Sequence, residues 1–258
     1  PPWLQVMRLA AANAARQAAA WPRHEMEAVY GVYGAIVFVL WIIPTWALVA
    51  IAPSRRVAEK ITKWGLRLFF LLIGCRVRVV GREHLQTAPP RVFVCNHTSF
   101  FDVLALMAAL GSEYHFVAKN EVHHMPFIGT FLRKLGHFAF DRSDPRARVR
   151  QAEEIQAALG RSESVFIFPE GTFVAQAGVR AFHLGAFHAA AAARCPIIPV
   201  AMDGKRRLLR DKTYLPRPAW INVIVCPPLH PSASTQEASW QEIVRLRDAA
   251  RQAISQAV

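Results

Sequence analysis

The residues best equipped for chemistry stand together in the stretch "VFVCNHTSFFD". An apolar run ends in Asn96 and His97, and Asp102 follows five residues after the histidine. An imidazole takes a proton from a hydroxyl near neutral pH when a carboxylate fixes its tautomer and orientation. The same residues also fit a plainer purpose. Ser99, three residues ahead of Asp102 and just before the apolar stretch VLALMAAL, has the pattern of a helix start with a capping residue and an acid in the first turn. The two readings separate only through the elements that present these side chains.

From Arg76 onward, short β-branched runs alternate with longer helical stretches. Strands are expected at 77–80, 92–95, 115–117, 138–140, 165–168, 197–202 and 221–225. Helices are expected at 101–110, 127–135, 146–159, 184–194 and 240–256. This alternation predicts an α/β fold, a mostly parallel sheet flanked by helices on both faces. Open parallel sheets bind ligands beyond the carboxyl ends of their strands. Three of the expected strands end there in polar tips: Asn96-His97, Asp141-Arg142, and Pro169-Glu170-Gly171-Thr172. If those strands are parallel neighbours, a base, an arginine and a carboxylate beside a glycine turn face one crevice, a set suited to a phosphorylated substrate with a free hydroxyl. The G-x-S-x-G elbow, the P-loop and the G-x-G-x-x-G fingerprint are absent, which argues against serine nucleophiles and nucleotide hydrolysis.

Ahead of this body lies a different kind of sequence. The first 28 residues are alanine-rich, with Arg8, Arg16 and Arg23 forming one basic stripe if helical. Residues 29–52 carry no charge at all. As one helix they reach ~36 Å at about 1.5 Å per residue, enough for a hydrocarbon core of roughly 30 Å. Pro44 divides the segment, and a second apolar piece, 66–75, contains Arg67. A single kinked span and a helical hairpin dipping into one leaflet both fit. Tyr30, Tyr33, Trp41 and Trp46 suit a membrane interface, and Arg55, Arg56, Lys60, Lys63 and Arg67 follow closely, which predicts a body on the cytoplasmic face. The expected division is a membrane-associated segment over 1–75 and an α/β domain over 76–258. The chain starts at Pro1, as expected of a processed or excised polypeptide, and no signal peptide is expected.

The 258 residues carry a formal net charge of +13, pI near 10.5, 53% apolar residues and a mean hydropathy of +0.19. Such a charge implies an anionic partner. Nucleic acid is not expected, because no recognition motif accompanies the uncharged segment. Cys75, Cys95, Cys195 and Cys226 stand far apart without metal spacing and are expected to be buried thiols in a reducing compartment. His123 and His124 are adjacent and point apart on any regular element, so no metal is expected there.

The motifs together resemble a known family. "NHTSFFD" is similar to the N-H-x-x-x-x-D signature of the glycerolipid acyltransferases, the group typified by bacterial 1-acyl-glycerol-3-phosphate acyltransferase. "AKNEVHHMPFIG" resembles that family's K-x-E-L…P-x-x-G stretch through Lys119, Glu121, Pro126 and Gly129. "GHFAFDR", "FPEGT" and "IIPVAM" resemble its later blocks, in order, across roughly residues 75 to 205. The resemblance implies His97 as general base, Asp102 as its orienting acid, and Arg142 with Lys119 holding an acceptor phosphate. It also implies that Asn96, Glu170, Gly171 and Thr172 belong to the substrate site. The co-substrate would be acyl-CoA or acyl carrier protein, with no cofactor or metal, and the partners would be membrane lipid and a lysophospholipid acceptor. Phe173 and His183 stand where the family usually carries cations, and Arg180 is a spatial candidate to replace them. The acceptor is then 1-acylglycerol-3-phosphate, another lysophospholipid or a lipid-like amine. A catalytically idle membrane adaptor on the same fold is the rival reading.

Overall fold

The computed structural model describes residues 24–97, 101–111, 114–140, 145–171, 178–203, 220–232 and 239–258. The basic stripe expected before residue 24 lies outside them. Helix α1, His24–Ala50, runs unbroken through Pro44. That proline removes one i→i−4 bond without ending the helix. After a short turn comes α2, Arg55–Leu72, opened by the Ser54 hydroxyl, which accepts from Val57 N. The path is a helical hairpin, but its second arm is not the short apolar piece expected. Ala58, Thr62, Leu66, Phe69 and Phe70 repeat at helical spacing and are buried, so α2 is amphipathic and begins eleven residues earlier than the apolar run.

The two arms cross closely at Gly65. A Cβ there would stand 3.1 Å from Thr45 Cγ2 and 3.2 Å from Trp41 Nε1, tighter than ordinary contact. Both ends of α1 are tied down. Tyr30 and Tyr33 hydroxyls donate to the carbonyls of Ile73 and Leu72. At the other end, Lys134 Nζ donates to Ala52 O at 3.2 Å. The outward side of α1, including Val32, Ile36, Leu40 and Ile43, is exposed.

The body is a seven-stranded sheet built from β1 (Arg76–Val80), β2 (Val92–Cys95), β3 (Tyr114–Lys119), β4 (Phe138–Phe140), β5 (Ser164–Ile167), β6 (Ile197–Asp203) and β7 (Trp220–Val225), in the order β1-β7-β6-β2-β5-β3-β4. Every expected strand is present. All pairings are parallel except β6 with β7, so β1 and β7 run against the other five. The helices of the body are α3 (Phe101–Leu110), α4 (Asn120–His124), α5 (Ile128–Lys134), α6 (Pro145–Gly160), α7 (Gly185–Ala192) and α8 (Trp240–Ala257).

Alternation along the central strands feeds two cores. Phe93 and Cys95 of β2 join Leu66, Phe69, Leu106 and Phe166 beneath α2 and α3. Val92 and Val94 join Val165, Ile197, Phe187, Leu246 and Ile254 beneath α6, α7 and α8. Burial on both faces is the reason these strands read as continuous apolar runs. It also makes β2 a rigid platform, with its carboxyl end fixed to within the packing tolerance of the core.

Candidate active site

Strand β2 stops at Cys95, and the two residues beyond it are held from both sides. Asn96 is buried; its Nδ2 donates to Met202 O at 3.3 Å and its Oδ1 accepts from Met202 N at 2.9 Å. The side-chain amide imitates a peptide and extends the β2–β6 pairing by one step. On the other flank, β5 is followed by Phe168, Pro169, Glu170 and Gly171, where Gly171 N donates to Phe168 O at 3.1 Å. This is a β-turn with proline at its second position and glycine, at φ +77°, at its fourth. The turn folds Glu170 inward, where it is buried and its Oε1 accepts from His97 N at 3.4 Å.

The imidazole of His97 is fixed at an edge and a face. Its Nδ1 lies 3.0 Å from Asp102 Oδ2, and its ring stacks on Phe168 with centroids 4.1 Å apart and planes 23° apart. Asp102 comes from the first turn of α3, where the helix dipole favours a negative charge. Its side chain is 0% exposed, whereas that of His97 is 15% exposed. With Nδ1 facing Asp102, proton transfer to an external group falls to Nε2. At the far end of the same helix, Arg67 Nε donates to Ala108 O at 3.0 Å, so α3 is braced at both ends.

The expected tips are brought together only in part. β2 and β5 are neighbours, and their tips form the arrangement above. β4 is a neighbour of neither. It pairs with β3 at the sheet edge, because the connection through α4 and α5 is short while β5 returns after α6 to fill the place between β3 and β2. Arg142, Thr172 and Phe173 lie outside the described residues, as does Ser99. Lys119 closes β3 opposite Phe140, and only its backbone is described. His183 is exposed, and its backbone N donates to Pro169 O at 2.8 Å, which attaches the 178–183 segment to the Glu170 turn. Arg180 is also exposed; its carbonyl accepts from Arg251 Nε.

Phe168 was not singled out from sequence. Its place follows from the strand pairing: Ile167 pairs with Val94 in a parallel register, so the residue after β5 stands beside the end of β2.

A family profile described as Acyltransferase matches residues 76–203. A 1-acyl-sn-glycerol-3-phosphate acyltransferase of Chlamydomonas reinhardtii is 30% identical over 182 residues, covering 70% of this chain and 52% of that one. The alpha form of that enzyme in Mus musculus is 31% identical over 192 residues, covering 72% of this chain and 66% of its own. The chain thus spans about half the length of the algal relative. In three dimensions the fold is similar to the crystal structure of the 1-acyl-sn-glycerophosphate acyltransferase PlsC from Thermotoga maritima. The TM-score is 0.74 at 19% identity, covering 90% of this chain and 94% of that one.

Proposed function

Because the chain belongs to the glycerolipid acyltransferase family, we propose that it transfers a fatty acyl group from a thioester donor to the free hydroxyl of 1-acylglycerol-3-phosphate. The observation that carries this reading is the His97–Asp102 pair, 3.0 Å apart with the carboxylate buried, at the end of a rigid central strand. His97 Nε2 takes the hydroxyl proton as the acceptor oxygen attacks the thioester carbonyl. The carbon–sulfur bond then breaks, and the imidazolium returns its proton to the departing thiolate. Asp102 holds the tautomer and stabilises the imidazolium, as in a catalytic triad, but the nucleophile belongs to the substrate. Arg142 and Lys119 are the cations assigned to the acceptor phosphate, and Gly171 and Thr172 are assigned to the same substrate site. Glu170 acts through the His97 backbone N–H that it accepts from, and Asn96 by fixing the end of β2 to Met202 of β6.

We read the membrane attachment as one-leaflet. α1 has the length and composition to cross a bilayer over Val29–Ala50. Yet its two ends are tied to residues 72–73 and to Lys134, which favours a helix lying along the body with its exposed side in the leaflet. Catalysis then takes place on the cytoplasmic face, with acyl-CoA or acyl carrier protein arriving from water. The deciding assay is a panel of lysophospholipids and lipid amines incubated with one acyl-CoA and analysed by mass spectrometry. Lysophosphatidic acid should be the best acceptor. A preferred zwitterionic or amine acceptor would reassign the head group, and no thiol release with any of them would favour the idle adaptor.

A further inference from the structure

Residues 125–128, where α4 gives way to the start of α5, carry a feature the proposed chemistry does not use. Ile128 N donates to Pro126 O at 2.8 Å, and Phe127 between them has φ 64° and ψ −60°. A hydrogen bond across two residues with those dihedrals is the rare form of the γ-turn, a strained backbone. A bulky side chain at positive φ adds to that strain. Gly129 completes the turn, since a Cβ there would stand 2.1 Å from His123 O. Pro126 and Gly129 therefore build the turn, and its product is an apolar tip: Met125, Phe127 and Ile128 are each more than 40% exposed.

This tip continues the surface of α1. The Phe127 ring meets Trp46 edge-on, with centroids 5.3 Å apart, and the exposed Ile43 and Leu48 of α1, with Ile51 just past its end, lie within five residues of Trp46. Arg133, exposed, is held at the foot of the turn by bonds to His123 O and Thr130 Oγ1, which sets a cation beside the apolar tip. A cation bordering exposed apolar side chains matches the order of a leaflet, phosphate above hydrocarbon. We infer that the 125–128 turn is a second membrane-inserting element, with Met125, Phe127 and Ile128 entering the acyl-chain region of the leaflet that takes α1. The inference rests on the one-leaflet reading above. Strain stored at such a point is the cost of holding a large side chain outward. The turn follows β3 on the carboxyl-end side of the sheet, so insertion here would bring the site's rim down to the lipid.

Selective labelling tests it, because Cys75, Cys95, Cys195 and Cys226 are all buried. Single variants Leu40→Cys on α1, Ile128→Cys on the turn and Gln252→Cys on α8 would each carry an environment-sensitive dye. They would be mixed with phosphatidylcholine vesicles containing phosphatidylglycerol and a chain-located quencher. The dyes at 40 and 128 should shift to the blue and be quenched, and the dye at 252 should do neither. A response at 40 without one at 128 overturns the inference and leaves the one-leaflet anchor standing. Silence at both positions removes the anchor reading as well. Phe127→Gly adds a second measure, since glycine relieves the positive φ while deleting the ring. Its melting temperature should hold or rise, while the ratio of activity on vesicle-borne to short-chain soluble acceptor drops by about fivefold or more. A lower melting temperature with an unchanged ratio would make the turn merely structural and overturn the inference.

Discussion

Two histidines on opposite rims of the sheet share a chemical setting and differ in what they can do. His97, beyond the end of β2, lies 3.0 Å from Asp102 and stacks on Phe168. His115, near the start of β3, lies 3.4 Å from Glu163 and stacks on Phe138, centroids 4.8 Å apart and planes 22° apart. The difference is in how the ring and the carboxylate are used. Asp102 is sealed from water, whereas Glu163 is partly exposed and bound to Arg161 at 2.8 Å. His115 Nδ1 faces Gly136 O, and Arg55 Nη1 lies 3.1 Å from Nε2. A guanidinium only donates, so Nε2 accepts and Nδ1–H donates to the carbonyl. His115 is thus a neutral clamp between the start of α2 and the sheet. A neighbouring carboxylate is common to both; the proposed base, His97, has in addition a buried, dedicated carboxylate and a ring that meets solvent.

The most severe way to break this comparison is to delete each imidazole. His97→Ala should lower the acyl-transfer rate by about a hundred- to ten-thousandfold, with folding retained. Asp102→Asn should fall equally far or somewhat less, since it disturbs tautomer and orientation. His115→Gln should leave the turnover number within a few-fold of wild type. Thiol release from acyl-CoA measures all three. Transfer in His97→Ala within tenfold of wild type would end its assignment as the base.

Glu170 sharpens the comparison on the rim of the proposed active site. Its carboxylate accepts from His97 N, so Glu170→Gln keeps an accepting oxygen in place while removing the charge. Glu170→Ala should reduce kcat by roughly tenfold, the low end for a hydrogen bond to a charged group, with the acceptor KM little changed. Glu170→Gln should recover most of that loss. A residue touching the acceptor gives the other pattern: a raised acceptor KM that glutamine does not rescue.

Much of this was legible in the sequence, for physical reasons that also mark where legibility ends. The seven strands and the helix at 101–110 announced themselves because central strands buried on both faces must be apolar throughout, as β2 is. The pairing of His97 with Asp102 was readable because both lie on one strand–helix connection. Strand order was not readable: no local pattern says that β5 slots between β2 and β3 while β4 goes to the edge. The reversal of β7 against β6 was hidden for the same reason. α2 was read short because its charged residues masked an amphipathic repeat. The 125–128 turn was visible only as a spacing of proline and glycine; the close approach of Gly129 to His123 O, which calls for the glycine, appears only in three dimensions.

The smallest effect expected concerns the structural rim in acid. Burial pushes His115 below its ordinary value of 6.5, aided by the nearby Arg55 charge and opposed by its bond to Gly136. His137, buried beside it, is pushed down to about 3, chiefly by burial and then by His115 and Arg55. Glu163 is held low by its bond from Arg161. A histidine lowered on folding binds more protons unfolded than folded below pH 6.5. Its stabilising contribution is therefore complete above 6.5 and lost as pH falls toward the folded value. The Glu163 contribution has the same sign but begins lower, near the ordinary carboxylate range. Of these three groups the histidines set the slope between pH 6.5 and 5, at about 1.4 kcal/mol per pH unit for a fully shifted group. Thermal melts from pH 7.5 to 5 should show a steady loss for wild type. His137→Asn keeps an oxygen to accept from Phe116 N, the bond His137 Nδ1 now makes at 3.3 Å, yet cannot titrate. Its melting curve should start lower or equal at pH 7.5 and flatten in acid, as should that of His115→Gln. Should both variants keep the full wild-type slope, the acid sensitivity arises elsewhere and the neutral clamp loses its support.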